Sequence, residues 1–242
     1  MAKALTIGLV VPFATDEVPY EGPIMYPGVR FIPRGVGVRA LTPEGYEPAW
    51  NGILPAAEYL AAQGVDAIMV IGTSLTFYRG PQAHDRLLEE LRERTGLPVS
   101  TMSQAIVDGL RAVGARRVAV ATAYTDVVNR RLKELLAAAG IDVLALKCFD
   151  LLEFGGPSKK SEADIIALTD SAVAGADRPE GILISCGGLR TLGVAEPLET
   201  RHDIPVVSSA TAAFWAAMRL VGESGHLSGY GRLMERSTEP VH

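Results

Sequence analysis

The chain has 242 residues, 48% of them hydrophobic and 21% charged, with a net charge of −5, the balance of a globular protein able to bury a sizeable core. Mild acidity without a basic tract or an aromatic-basic stripe argues against nucleic acid or an anionic membrane as partner, and no run approaches the roughly 18 apolar residues of a membrane span. Cys148 and Cys186, the 2 cysteines, are too few for a disulfide framework, so reduced thiols and a cytoplasmic location are expected.

The first apolar run, Leu5 to Val11, reads as a buried strand and not as a signal peptide, because it is short and no small-residue cleavage site follows. From Phe13 to Gly45 the chain is irregular, with Pro19, Pro23, Pro27, Pro33 and Pro43 spaced among glycines. The Tyr20, Tyr26, Phe31, Val36, Val38 and Leu41 side chains in this segment favour a packed loop over a cleft. Further strands are predicted at Ala67 to Ile71, Val118 to Thr122, Val143 to Leu146, Gly181 to Ser185 and Pro205 to Ser208. Amphipathic helices are predicted between them at Ala83 to Thr95, Ser103 to Val113, Asp126 to Ala139 and Ser161 to Ala174, with a last one at Thr211 to Val221. This alternation predicts an α/β fold of parallel sheets covered on both faces, with ligands at the carboxyl ends of the strands.

The pattern is duplicated. Ala67 to Leu75 lines up with Gly181 to Leu189, Ile7 to Pro12 with Ala119 to Tyr124, and Gly96 to Ser100 with Asp203 to Val207. The simplest account is two pseudo-symmetric α/β lobes, residues 1–115 and 116–242, with the active site in the cleft between them and the last helix packing back on the first lobe. In that alignment Gly72 stands where Cys186 stands. One strand end offers a thiol; its counterpart offers no functional group.

Cys186 precedes Gly187 and Gly188 at a strand-to-helix turn, where free backbone N–H groups lower a thiol pKa and bind anions. It is therefore either an acid-base group or a cysteine packed as a small hydrophobe, whereas Cys148, at a plain strand end, is structural. Thr73 and Ser74 bring hydroxyls and backbone N–H groups to the matching turn, suited to a carboxylate or developing oxyanion and equally to helix capping. The Tyr124 phenol either donates to an oxyanion or seals the cleft. His84, His202, His226 and His242 stand singly and are expected in surface or loop positions, with no metal-ligand spacing. The glycines form neither nucleotide-binding fingerprint, so neither a metal nor a cofactor is expected. Ser-His-Asp order and paired strand-end carboxylates are also missing, which weakens hydrolase and glycosidase readings.

Several stretches carry a resemblance: Ile7 to Pro12, Leu41 to Tyr46 (LTPEGY), Gly72 to Gly80 (GTSLTFYRG), Thr95 to Ser103 (TGLPVSTMS), Gly109 to Asn129, Ser185 to Leu189 (SCGGL), Pro205 to Ser209 (PVVSS) and Gly229 to Leu233. Across nearly its whole length the chain resembles the arylmalonate decarboxylases of the aspartate/glutamate racemase superfamily. The resemblance implies cofactor-free decarboxylation of a small dicarboxylate, a disubstituted malonate. Its enediolate would be held by Thr73, Ser74, Tyr124 and the backbone N–H groups of Cys186 and Gly187, and protonated on one face by Cys186. It further implies a substrate pocket formed by Pro12, Val38, Leu41, Tyr46, Gly72 and Phe154. The related maleate isomerases use a second cysteine at the position of Gly72, and racemases of the superfamily need an acid and a base on opposite faces. A racemase or cis-trans isomerase is thus the alternative activity, opposed by Gly72, and a non-catalytic small-acid binder is a third reading. Residues 153–160 depart from the family pattern, which has aliphatic or methionine side chains near Phe154. Nothing in the sequence demands more than a monomer.

Overall fold

The computed structural model describes residues 4–235. Its first half runs β1 (Thr6–Val11), α1 (Glu21–Met25), β2 (Arg30–Gly35), α2 (Pro43–Ala62), β3 (Ala67–Val70), α3 (Thr73–Phe77), α4 (Pro81–Thr95), β4 (Val99–Thr101) and α5 (Met102–Ala112). The second half runs β5 (Arg117–Thr122), α6 (Asp126–Ala138), β6 (Asp142–Cys148), α7 (Glu162–Ala174), β7 (Gly181–Ser185), α8 (Ala195–His202), β8 (Val206–Ser208), α9 (Ser209–Leu220) and α10 (Arg232–Glu235). Two four-stranded sheets result, ordered β2-β1-β3-β4 and β6-β5-β7-β8. All their pairings are parallel. The shared order is the structural form of the sequence duplication.

Central strands β1, β3 and β7 are buried at every position, as parallel strands covered on both faces must be. Helices α5 and α9 follow the last strand of each sheet and pack on one another, with α5 also touching β7 and β8 and α9 touching β3, β4 and α1. The last long helix therefore does pack back on the first sheet. The Thr101 and Ser208 side chains cap these two helices, accepting from Gln104 N at 3.0 Å and Thr211 N at 3.3 Å.

One expectation needs correction. The segment from Phe13 to Gly45 is not simply a loop, because it contains α1, the start of α2 and the edge strand β2. Pro33 is tolerated in β2 because an edge strand leaves one side unpaired. Helix α2 is not among the helices the sequence pattern predicts; Pro43 begins it and Pro48 and Pro55 lie inside it. Buried Tyr46, Ala49, Ile53, Ala56, Ala57 and Leu60 supply its helical stripe. Among the described residues no helix is long and apolar enough to cross a membrane.

Candidate active site

The two duplicated turns meet at a cavity of about 310 Å³, near the lower end of the size range of small-molecule sites. At the first turn Gly72 has φ +116°, a conformation that favours glycine, and it starts α3 so that Thr73 and Ser74 form the helix's first turn. At the second, Cys186 follows β7 directly, and the Cys186 carbonyl accepts from Leu189 N at 3.1 Å to close the turn. Gly187 packs tightly there, since a Cβ would come within 2.7 Å of Met102 Sδ and would have to displace that side chain.

Ser209, the first residue of α9, ties the turns together. Its hydroxyl accepts from Thr73 Oγ1 at 2.9 Å and from Cys186 N at 3.3 Å. Ser103 Oγ adds a second brace, donating to the Thr73 carbonyl at 2.8 Å. These two serines were not singled out as site residues from the sequence. Their usable signal was a hydroxyl at the start of the helix after each sheet's last strand.

The Cys186 side chain is only 6% exposed. Burial pushes the thiol up to about 11, against the opposing pull of the Gly188 and Leu189 N–H groups and the Tyr124 hydroxyl. The expected lowering by backbone donors is thus overturned: donors are present, but the loss of water outweighs them. A thiol held that high favours the protonated form, suited to carrying a proton more than to acting as a thiolate nucleophile.

Tyr124 is fully buried behind the turns, with its hydroxyl 3.3 Å from Ser185 Oγ and its ring edge-on to Phe77 at 5.7 Å. Tyr46 lines the cavity, and its buried hydroxyl lies near Ser74 without a hydrogen bond of normal geometry among the described residues. Desolvation raises both phenols well above their usual range, so both remain donors. Pro12, Val38, Leu41, Gly72, Thr73, Ser74, Phe154 and Gly187 also line the cavity.

Phe154 arrives from the second half of the chain, its ring 6.3 Å from that of Phe13 in an edge-to-face pair. The segment carrying it reaches across the cavity: Leu41 N donates to the Leu152 carbonyl at 2.8 Å, and Ala40 bridges Glu153. The divergent stretch therefore forms a wall, and an aromatic one. Also lining the cavity are Glu17, Glu21 and Arg190, which the sequence reading did not select, since charged residues in Pro- and Gly-rich connections look like solvated surface.

The remaining candidates lie elsewhere. Cys148 is half-buried at the end of β6. His84, expected on the surface, is 1% exposed and its Nε2 lies 2.7 Å from Thr101 Oγ1. It belongs to the inner face of α4, and burial lowers its pKa. His202 Nε2 is 2.7 Å from Asp170, His226 is exposed, and His242 lies outside the described residues. Among the described residues no three His, Cys, Asp or Glu side chains converge as a metal site would need.

Duplicated parallel sheets whose strand-end turns meet at one cavity define a class, the pseudo-symmetric two-lobed α/β enzymes to which maleate isomerases belong. A maleate isomerase of Nocardia farcinica is 28% identical over 96% of this chain and 96% of its own length. Within that class the chain belongs to the arylmalonate decarboxylase family, whose model matches residues 7–234. The arylmalonate decarboxylase of Bordetella bronchiseptica is 41% identical over 98% of this chain and 99% of the relative. A liganded crystal structure of an arylmalonate decarboxylase variant superposes with a TM-score of 0.93 at 40% identity, over 96% of this chain and 99% of that one. In that variant a glycine is changed to cysteine and a cysteine to serine, and those two positions are as far apart in sequence as Gly72 and Cys186.

Proposed function

We propose that the chain decarboxylates disubstituted arylmalonates and releases one enantiomer of the α-aryl carboxylic acid. The observation that carries this reading is the asymmetry of the two turns, a neutral thiol at Cys186 facing a position, Gly72, that has no side chain.

One substrate carboxylate is held by Thr73 and Ser74 at the first turn, by the backbone N–H groups of Cys186 and Gly187 at the second, and by Tyr124 through the hydroxyls around it. The other carboxylate lies against the wall formed by Pro12, Val38, Leu41 and Phe154, where a charge is disfavoured relative to neutral carbon dioxide. As the C–C bond breaks, its electron pair moves into the retained carboxylate and gives an enediolate. Donors gathered at the two turns stabilise the new charge, with the Thr73 hydroxyl and the Cys186 N–H shifting to it from Ser209 Oγ. Cys186 then transfers its Sγ proton to the α-carbon from its own side, and the resulting thiolate regains a proton from water. The electron pair never leaves the substrate, so the step needs no electron carrier. Racemisation or cis-trans isomerisation would require a second acid-base group where Gly72 stands.

The test is turnover of phenylmalonate and its α-methyl derivative in deuterated water. Carbon dioxide release with one deuterium at the α-carbon of a single enantiomer is expected, and Cys186→Ala should nearly abolish product formation. Racemic product under enzyme-limited conditions, or full rate in Cys186→Ala, would refute the assignment.

A further inference from the structure

The cavity has charged lining beyond the two turns. Glu21 opens α1, lines the cavity and is 3% exposed, yet among the described residues it forms no ion pair. Helix α1 is pinned, because a Cβ on Gly22 would come within 2.7 Å of Phe214 Cε1 in α9. Its polar neighbours are its own backbone N–H, the Tyr20 hydroxyl and the Arg190 guanidinium, and Arg190 Cζ lies 5.7 Å from the Tyr20 ring centroid. Arg190 also lines the cavity and is exposed just beyond the Cys186 turn. The groups acting on Cys186 are different, namely Gly188, Leu189 and Tyr124. The oxyanion turns and the Glu21 corner line one cavity.

A carboxyl withdrawn from water without an ion-pair partner is costly, and burial raises Glu21 to about 7. A ligand group that donates to Glu21 and accepts from Arg190 relieves that cost. An amine would suit Glu21 and repel Arg190; a carboxylate would do the reverse. A phenolic hydroxyl does both with one oxygen, at the far edge of a ring whose faces meet the apolar middle of the cavity. Resting on the decarboxylase reading of this site, we propose that Glu21 and Arg190 are specificity-determining residues that select a hydroxyaryl malonate, its ring hydroxyl held between carboxylate and guanidinium.

The experiment compares kcat/KM for phenylmalonate with that for 3- and 4-hydroxyphenylmalonate at pH 8, in the parent protein and in Glu21→Leu and Arg190→Leu. A charge-assisted hydrogen bond supports a preference of about tenfold or more for a hydroxylated substrate, and each variant should bring the ratio toward one. Calorimetric affinities for the same compounds supply a readout independent of turnover, and thermal melting checks that the variants are folded. Should the parent turn over both classes equally, or should neither variant change its preference, the inference falls and the decarboxylase reading stands. If nothing is decarboxylated, the decarboxylase reading falls. Equal affinities would then sink the subsite as well, while a hydroxyl-dependent affinity lost in Arg190→Leu would sustain it.

Discussion

Replacing Glu21 with glutamine isolates the cost of burying its charge. Burial pushes the folded carboxyl up to about 7 from an ordinary value of 4.5, and at about 1.4 kcal/mol per pH unit the difference corresponds to about 3 kcal/mol. The sign follows from the raised folded value. Below pH 4.5 the carboxyl is neutral in both folded and unfolded chains, and its contribution to stability is fully present. As pH rises toward 7 the unfolded chain ionises first, the folded state loses its advantage, and above 7 the whole penalty is carried. Glutamine has no charge to bury, so Glu21→Gln should match the parent near pH 4 and exceed it by about 3 kcal/mol at pH 8, a large share of a typical 5–15 kcal/mol. Urea unfolding of both proteins from pH 4.5 to 8 reads the difference directly, and groups common to both cancel. Stability curves parallel to within about 0.5 kcal/mol would show that Glu21 is adequately solvated and that its corner of the cavity has no unmet demand.

Cys186 should donate its proton over a wide range, because its thiol is raised to about 11; the alkaline fall in rate should lie near that value and not near 9, and thiolate absorbance against pH in the free protein checks it. Ser74→Ala and Tyr124→Phe each remove a hydroxyl at or behind the oxyanion turns and should lower kcat by about 10²–10³ with a smaller change in KM; a change confined to KM would make them binding groups only. Gly72→Cys together with Cys186→Ser should move the proton donor to the opposite face and favour the opposite enantiomer on chiral chromatography. A Cβ at Gly72 would lie 3.3 Å from Leu75 Cβ at φ +116°, so that variant should also lose about 1–3 kcal/mol of stability.

The repeating architecture was legible because burial imposed the same order on both halves of the chain. Strands β3 and β7 must be apolar throughout, and each must end in small residues where the backbone turns toward a ligand. Those requirements leave aligned words in the sequence. Elements at the margin left weaker ones: β2 is half-exposed and contains Pro33, and α2 hides a regular apolar stripe behind Pro48 and Pro55. In both, a local rule was overridden by tertiary position, an unpaired edge in one case and a buried face in the other.

The candidate site divides along a similar line. Gly72, Thr73, Ser74, Cys186 and Gly187 could be found because turn geometry restricts which residues fit, and the duplication exposed the difference between the two copies. Electrostatics was not legible in that way. A cysteine before two glycines suggests a lowered thiol pKa, yet the balance of desolvation against backbone donors depends on how completely the cavity shields Sγ, which is a property of the assembled fold. Glu21 illustrates the same dependence more sharply. Between Tyr20 and Gly22 it reads as one more exposed loop carboxylate, and its burial follows from where α1 packs in the assembled fold. The site thus contains two groups, Cys186 and Glu21, whose protonation is set by burial. In the proposed reaction the first, held neutral, gives the proton, and in the proposed subsite the second, without an ion pair among the described residues, takes a hydrogen bond from a substrate hydroxyl.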